Sequence, residues 1–132
     1  MLNFMDGVRI NIKSFISKQF TKKGGRMYLP NIYQNFAEKY PEVFKTYNQL
    51  GISCREAGPL DIKSQSLVKL GIAMGCNSRG GVMSHTRKAL AAGATPEEIF
   101  HAILLSLTTI GFPNMMAAMG WVNEVIEEQI SK

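Results

Sequence analysis

One histidine sits where three chemically useful residues share a helical face. His85 follows Ser78 by seven residues and Gly81 by four, and those spacings place all three on one side of a helix. Imidazole is the side chain suited to moving protons near neutral pH. Chemistry, if the chain performs it, is therefore expected on that face. Ser66 and Ser78 read more plainly as packing or backbone-bonding residues than as nucleophiles, because no Gly-x-Ser-x-Gly elbow or partnered aspartate accompanies them. Gly80 and Gly81 either admit a ligand against the backbone or allow close helix packing, and packing is the favoured reading. Lys63 and Arg87 read as solvent or salt-bridge positions, with ligand contact the alternative. His101 lies on a largely apolar stretch and reads as structural. His85 and His101 have no ligand partners at metal-binding spacing, so no metal is expected. No cofactor is expected either.

The elements that position His85 are legible around it. PLDIKSQSLVKLGIAMGCNSRGGVMSHTRKALAAG, residues 59–93, reads as two helices with a glycine-broken junction. The first runs from about Asp61, a suitable N-cap, to Met74, with Ile62, Leu67, Leu70 and Ile72 as its apolar side. The second begins near Ser78 and ends at Gly93, since glycine takes the left-handed conformation without penalty. Gly71 and Gly75, four apart, suggest a close approach of another helix.

Further out, Val8, Ile12, Phe15, Ile16 and Phe20 suit an amphipathic helix, although the alternation around Arg9 to Lys13 also fits a short strand. TKKGGR, residues 21–26, is a turn or loop. Pro30 to Lys39 suits a helix with Ile32, Tyr33, Phe36 and Ala37 inward. Pro41 opens another, with Val43, Phe44, Tyr47 and Leu50 on one side. Gly51 to Pro59 reads as a connector. Thr95, Pro96 and Glu98 form a capping-box signature. The helix they open, through IFHAILLSLTTI, is apolar nearly all round and should be buried on most sides until Gly111 ends it. Pro113 starts a last helix with a solvated tail. The expectation is all-α, six to seven helices with short connections.

Composition bounds the function. The 132 residues are one domain's length, 45% hydrophobic and 19% charged, with a formal charge of +5. Residues 1–31 hold six basic residues against Asp6, whereas residues 89–132 hold five acids against Lys132. That asymmetry fits a basic N-terminal arm, or subunits packing basic end to acidic end, better than a nucleic-acid footprint. Eight methionines suggest adaptable packing or an interface. Cys54 and Cys76 are too few and too far apart for a disulfide framework or a zinc site, and no signal-peptide core is evident, so a cytoplasmic location is expected. The apolar run from Ile99 to Val122 is broken by Gly111, Pro113 and Asn114, so it reads as two buried helices and no membrane span. Helices this apolar in a short chain call for partners, and a homo-oligomer is expected.

Three segments, GPLDIKSQSLVKLGIAMG, SHTRKALAAGATPEEI and IGFPN, together with the upstream FAEKYPEVFKTYNQL, resemble the carboxymuconolactone decarboxylase family. That family includes lactone decarboxylases and alkylhydroperoxidase-D type thiol peroxidases. The resemblance covers roughly residues 36–128. It implies an all-helical fold assembling as trimers or hexamers, with active sites near subunit contacts. The peroxidase branch carries a Cys-x-x-Cys, then a histidine, and a glutamate on the preceding helix. Here those places hold Ser78, Gly81, His85 and Ser66. A disulfide relay needs two thiols and a base. Peroxidase cycling by that route is therefore not expected. Cys76 lies two residues before the first cysteine place and faces the pocket only if the junction is not helical; otherwise it reads as a small buried hydrophobe. The decarboxylase branch is similar in having a serine at the Ser66 place and no cysteine pair while keeping the histidine. By that resemblance His85 serves the proton step of a small-molecule lyase or isomerase, and Arg79 or Arg87 holds the carboxylate of an organic acid or lactone. The alternatives are a peroxidase relative that is degenerate or works through Cys76, and a non-catalytic oligomer that binds small acids.

Overall fold

The computed structural model describes residues 30–131; the expectations for residues 1–29 lie outside them. All regular structure among the described residues is helical: α1 (Asn31–Lys39), α2 (Pro41–Glu56), α3 (Ile62–Gly75), α4 (Arg79–Ala91), α5 (Pro96–Leu105), α6 (Leu107–Ile110) and α7 (Phe112–Ile130). The all-α expectation is met. No helix among these residues is long and apolar enough to cross a membrane.

The chain divides into two compact units between Cys54 and Arg55. In the first, Tyr33 of α1 meets Phe44 of α2 edge to face, with ring centroids 5.3 Å apart. Ala37 and Phe44 are buried, while Ile32 and Phe36, expected inward, are exposed, as are Val43, Tyr47 and Leu50 on the apolar side of α2. The expected connector from Gly51 is also corrected. Helix α2 continues through Gly51 to Glu56, since a single helical glycine weakens a helix by only about 1 kcal/mol and does not stop it.

In the second unit, α3 packs most closely on α4, and α7 lies against α4, α5 and α6. Leu70, Val82, Ala89, Ile99, Ile103 and Val122 are fully buried in one cluster. The junction between α3 and α4 is not made by its glycines. Asn77 takes φ 50°, Ser78 N–H donates to the Ala73 carbonyl and Asn77 N–H to the Met74 carbonyl. That is a Schellman motif with asparagine in the left-handed position. Gly93, at φ 91°, makes the same closure for α4, with Ala94 N–H on the Ala89 carbonyl. Asp61 caps α3 by accepting from Ser64 N–H. The Thr95–Glu98 capping box is present in both directions.

Several apolar faces are more exposed than expected. On α3, Ile62 and Ile72 are exposed, leaving Leu70, Ala73 and Met74 as its buried side. Among the described residues nothing approaches Gly71 or Gly75, so the close helix approach expected there is not found among them. The stretch from Pro96 to Ile110 is two helices, not one. Ser106 Oγ donates to the Ile103 carbonyl at 2.6 Å, and this local bond competes with continuation of the helix. On α5 only Ile99 and Ile103 are buried. Leu104, Leu105, Leu107, Phe112 and Met116 remain exposed.

Candidate active site

The cleft containing His85 is built on one face of α3 and the middle of α4. Ile62, Gln65, Ser66 and Lys69 recur at three, four and seven residues and therefore line one side of α3. His85 and Lys88, one turn apart on α4, face them, and Arg55 from the last turn of α2 completes the lining. The cavity encloses about 40 Å³. That is far below the roughly 300 Å³ of a pocket that swallows a whole organic ligand. It is room for a small polar head group.

The lining is cationic. Arg55, Lys69 and Lys88 border the cleft, and none of the described lining residues is acidic. Gln65 is held by two bonds from its amide nitrogen, to the Leu60 carbonyl at 2.7 Å and the Arg55 carbonyl at 3.1 Å. Its Oε1 is buried and bonds nothing among the described residues. The same is true of His85 Nδ1. Leaving a buried polar atom unbonded is unfavourable by about 1–3 kcal/mol, so two in one small cleft mark it as built for something polar. His85 is pushed down from 6.5 to about 4, first by burial, then by the charges of Lys88 and Lys69. It is neutral at pH 7 in the unliganded chain. Lys88 is lowered too, by burial and by Lys69 and Arg55.

The residues singled out in the sequence divide between this cleft and other tasks. His85 and Ser66 line it, with Ser66 Oγ also donating to the Ile62 carbonyl. Ser78 does not: it is the N-cap of α4, accepting from Gly81 N–H. Gly81 serves that cap and the packing of α3 on α4, since a Cβ there would stand 2.9 Å from Ser78 Oγ and 3.2 Å from Ala73 Cβ. Arg79 and Arg87, expected to hold a carboxylate, are instead paired with Glu124 and Glu128 of α7 at 2.6 and 3.1 Å. They lie on other sides of α4 from His85. Lys63 pairs with Glu98 at 2.8 Å, a salt-bridge position as expected. Cys76 is the C-cap of α3, exposed and outside the cleft lining, not the buried hydrophobe expected of a lone cysteine. His101 is exposed as well.

Sequence reasoning missed Arg55, Gln65, Lys69 and Lys88. A signal for Lys69 and Lys88 was present: each follows a singled-out residue, Ser66 or His85, by three, which is one helical turn. Arg55 was hidden by reading α2 as finished at Leu50. Among the described residues no three His, Cys, Asp or Glu side chains gather as a metal site.

The sequence model of the carboxymuconolactone decarboxylase family matches residues 41–124, from the start of α2 to the middle of α7. No curated protein and no solved structure matches the chain. The family match spans well over half of the chain and includes every described residue of the cleft, and the chain belongs to the carboxymuconolactone decarboxylase family.

Proposed function

We propose that the chain is a small-molecule lyase or isomerase acting on an organic acid or lactone, with His85 as the proton carrier. The observation that carries this reading is the buried Nδ1 of His85, unbonded among the described residues, in a cleft whose described lining includes Arg55, Lys69 and Lys88. Arg55, Lys69 and Lys88 supply what Arg79 and Arg87 were expected to supply, an anchor for a carboxylate. In a decarboxylation the C–CO₂⁻ bond breaks, carbon dioxide leaves, and its electron pair remains on the substrate as a dienolate. His85 takes up a proton from solvent as negative charge develops on the substrate and passes it to the dienolate carbon. In an isomerisation the same imidazole removes a proton from one carbon and returns it to another. Loss of 4-carboxymuconolactone, followed by ultraviolet absorbance, tests the reading. Turnover that disappears in His85→Ala supports it, and no turnover by the wild type removes that substrate.

A non-catalytic small-acid-binding protein is the second reading, favoured by the small volume of the cleft within one chain. It predicts binding of an organic acid without conversion. Thiol peroxidase chemistry has less support, since Cys76 is outside the cleft lining and the two places of the family's cysteine pair hold Ser78 and Gly81. A homo-oligomer, trimer or hexamer, is part of the proposal. It is supported by the exposed Val68 and Ile72 on α3 and by the exposed apolar run from Leu104 to Met116.

A further inference from the structure

We propose that Gln65 selects the ligand: the cleft takes a small hydroxy acid, whose carboxylate meets Arg55 and Lys69 and whose hydroxyl, on the carbon next to the carboxylate, donates to Gln65 Oε1. This rests on the acid-binding reading above and deepens it, naming the class of acid and the residue that reads it.

The Gln65 amide is held in a single orientation. Its Nε2 donates to the Leu60 carbonyl at 2.7 Å and to the Arg55 carbonyl at 3.1 Å. An amide nitrogen carries two N–H donors, so both are used. Turning the amide over would set Oε1 against those two carbonyl oxygens, acceptor against acceptor. The oxygen is therefore fixed on the opposite branch of the side chain. There it is buried and accepts from nothing among the described residues, while Gln65 lines the cleft. The hydroxyl on the described lining, Ser66 Oγ, donates to the Ile62 carbonyl instead. An amide oxygen accepts and cannot donate, so the partner it lacks is a donor. Leaving it unmet is unfavourable.

The neighbours of Gln65 decide which donor fits. Gln65 and Lys69 are four apart on α3 and both line the cleft, so their side chains lie next to each other on one face. The bond from Nε2 to the Arg55 carbonyl brings the Arg55 backbone to Gln65, and Arg55 lines the same cleft. The acceptor thus stands beside two cations. An ammonium donor is opposed by both, and a carboxylate is attracted to both. The cavity of about 40 Å³ has room for little beyond a carboxylate and an adjoining donor. A hydroxyl is a donor of one heavy atom. Carried on the carbon next to the carboxylate, it reaches Gln65 while the carboxylate stays with the cations. A deoxy acid enters the same space and leaves Oε1 buried and unmet. A site built around a ligand hydroxyl rejects the analogue lacking it for that reason.

Glycolate against acetate and lactate against propionate are the probes, since within each pair only the hydroxyl differs and all four are ionised at pH 7. The full chain, carbon-13 labelled in its glutamines, is titrated with each by NMR. Glycolate and lactate are expected to bind at least about tenfold more tightly than their deoxy partners. They are also expected to shift the Gln65 Cδ resonance, which acetate and propionate leave near its unliganded position. That shift reports a bond at Oε1, which a purely structural role of the side chain does not produce. In Gln65→Met, close in length and without an amide acceptor, the affinity ratio within each pair is expected to fall to about one. If that variant does not fold, the wild-type ratio and the Cδ shift decide alone. Equal affinities within the pairs in the wild type overturn the proposal and leave acid binding intact. A preference for the hydroxy acid that persists in Gln65→Met, or that leaves Gln65 Cδ unmoved, overturns it as well. No binding of any of the four acids removes the acid-binding reading and this proposal with it.

Discussion

Ser78 caps α4 with its hydroxyl, and Gly81 leaves the space in which that hydroxyl sits. A Cβ on Gly81 would stand 2.9 Å from Ser78 Oγ, closer than real side chains approach, and 3.2 Å from Ala73 Cβ. Gly81→Ala therefore forces either the cap or the α3–α4 contact to shift. Overpacking of this kind is unfavourable by about 1–3 kcal/mol, more than the roughly 1 kcal/mol that alanine gains over glycine in a helix. The net expectation is destabilisation of about 1 kcal/mol in urea melts. Gly71→Ala makes the comparison. Among the described residues nothing lies within 4 Å of its Cβ position, so within one chain it should stabilise by about 0.5–1 kcal/mol.

The depressed His85 makes stability depend on pH. Its value is 6.5 in the ordinary state and about 4 in the fold. Between those values the unfolded chain binds more protons than the folded one, so stability rises with pH across this window. The contribution is fully present above pH 6.5 and is lost as pH falls toward 4. Asp61 and Glu98, both lowered by the bonds they accept, lose their contributions at lower pH still. Melting temperatures between pH 7 and pH 5 isolate His85 from them. The wild type should lose stability across that interval, and His85→Gln should lose distinctly less. Equal slopes for the two proteins would show that the imidazole is not held neutral.

Local chemistry was the part of the fold most legible in the sequence. Asp61, Thr95, Pro96, Glu98 and Gly93 announce helix ends by mechanisms that act within four residues, and each is found at its end. The break at Ser106 and the continuation past Gly51 were not legible. Each turns on a small difference between competing local bonds that the neighbourhood decides. Asn77 was passed over because glycine is the more frequent left-handed residue, and the glycines nearby drew attention from it. His85 and Ser66, singled out from position along the chain, do come together on the cleft lining. The pairing of Arg79 and Arg87 was not legible, because a guanidinium's partner is set by which helix packs opposite, and α7 brings Glu124 and Glu128 there. The cationic lining of Arg55, Lys69 and Lys88 needed Arg55 to be placed beside α3 and α4.

The capping box of α5 joins two elements, so its loss should spread. Glu98 accepts from Thr95 N–H and also from Lys63 of α3. Thr95→Ala removes only the cap and should destabilise by about 1 kcal/mol. Glu98→Gln keeps a side chain able to accept at the cap but removes the charge that Lys63 meets. That pair is exposed on both sides, 39% and 41%, and such pairs contribute little once solvent screens them. Urea melts should therefore rank Thr95→Ala as the more harmful change. The reverse order would place the weight on the ion pair between α3 and α5.

Exposed apolar side chains on α3 and on the α5–α7 edge carry the expectation of self-association. Val68 is 51% exposed and Ile72 61% on α3, with the open positions of Gly71 and Gly75 beside them. A partner helix lying there would find a small-residue path bordered by branched side chains, which is how helices come close. Leu105 and Phe112, 64% and 60% exposed, offer a second surface. Sedimentation velocity on the full chain should show an assembly larger than the monomer. Ile72→Glu is expected to shift it to smaller species, because it buries a charge at the contact, while leaving the helical circular dichroism spectrum unchanged. Gly71→Ala is expected to weaken the assembly while stabilising the separated chain, so its effect on melting should change sign with protein concentration. A monomer at every concentration would remove the assembly from the proposal.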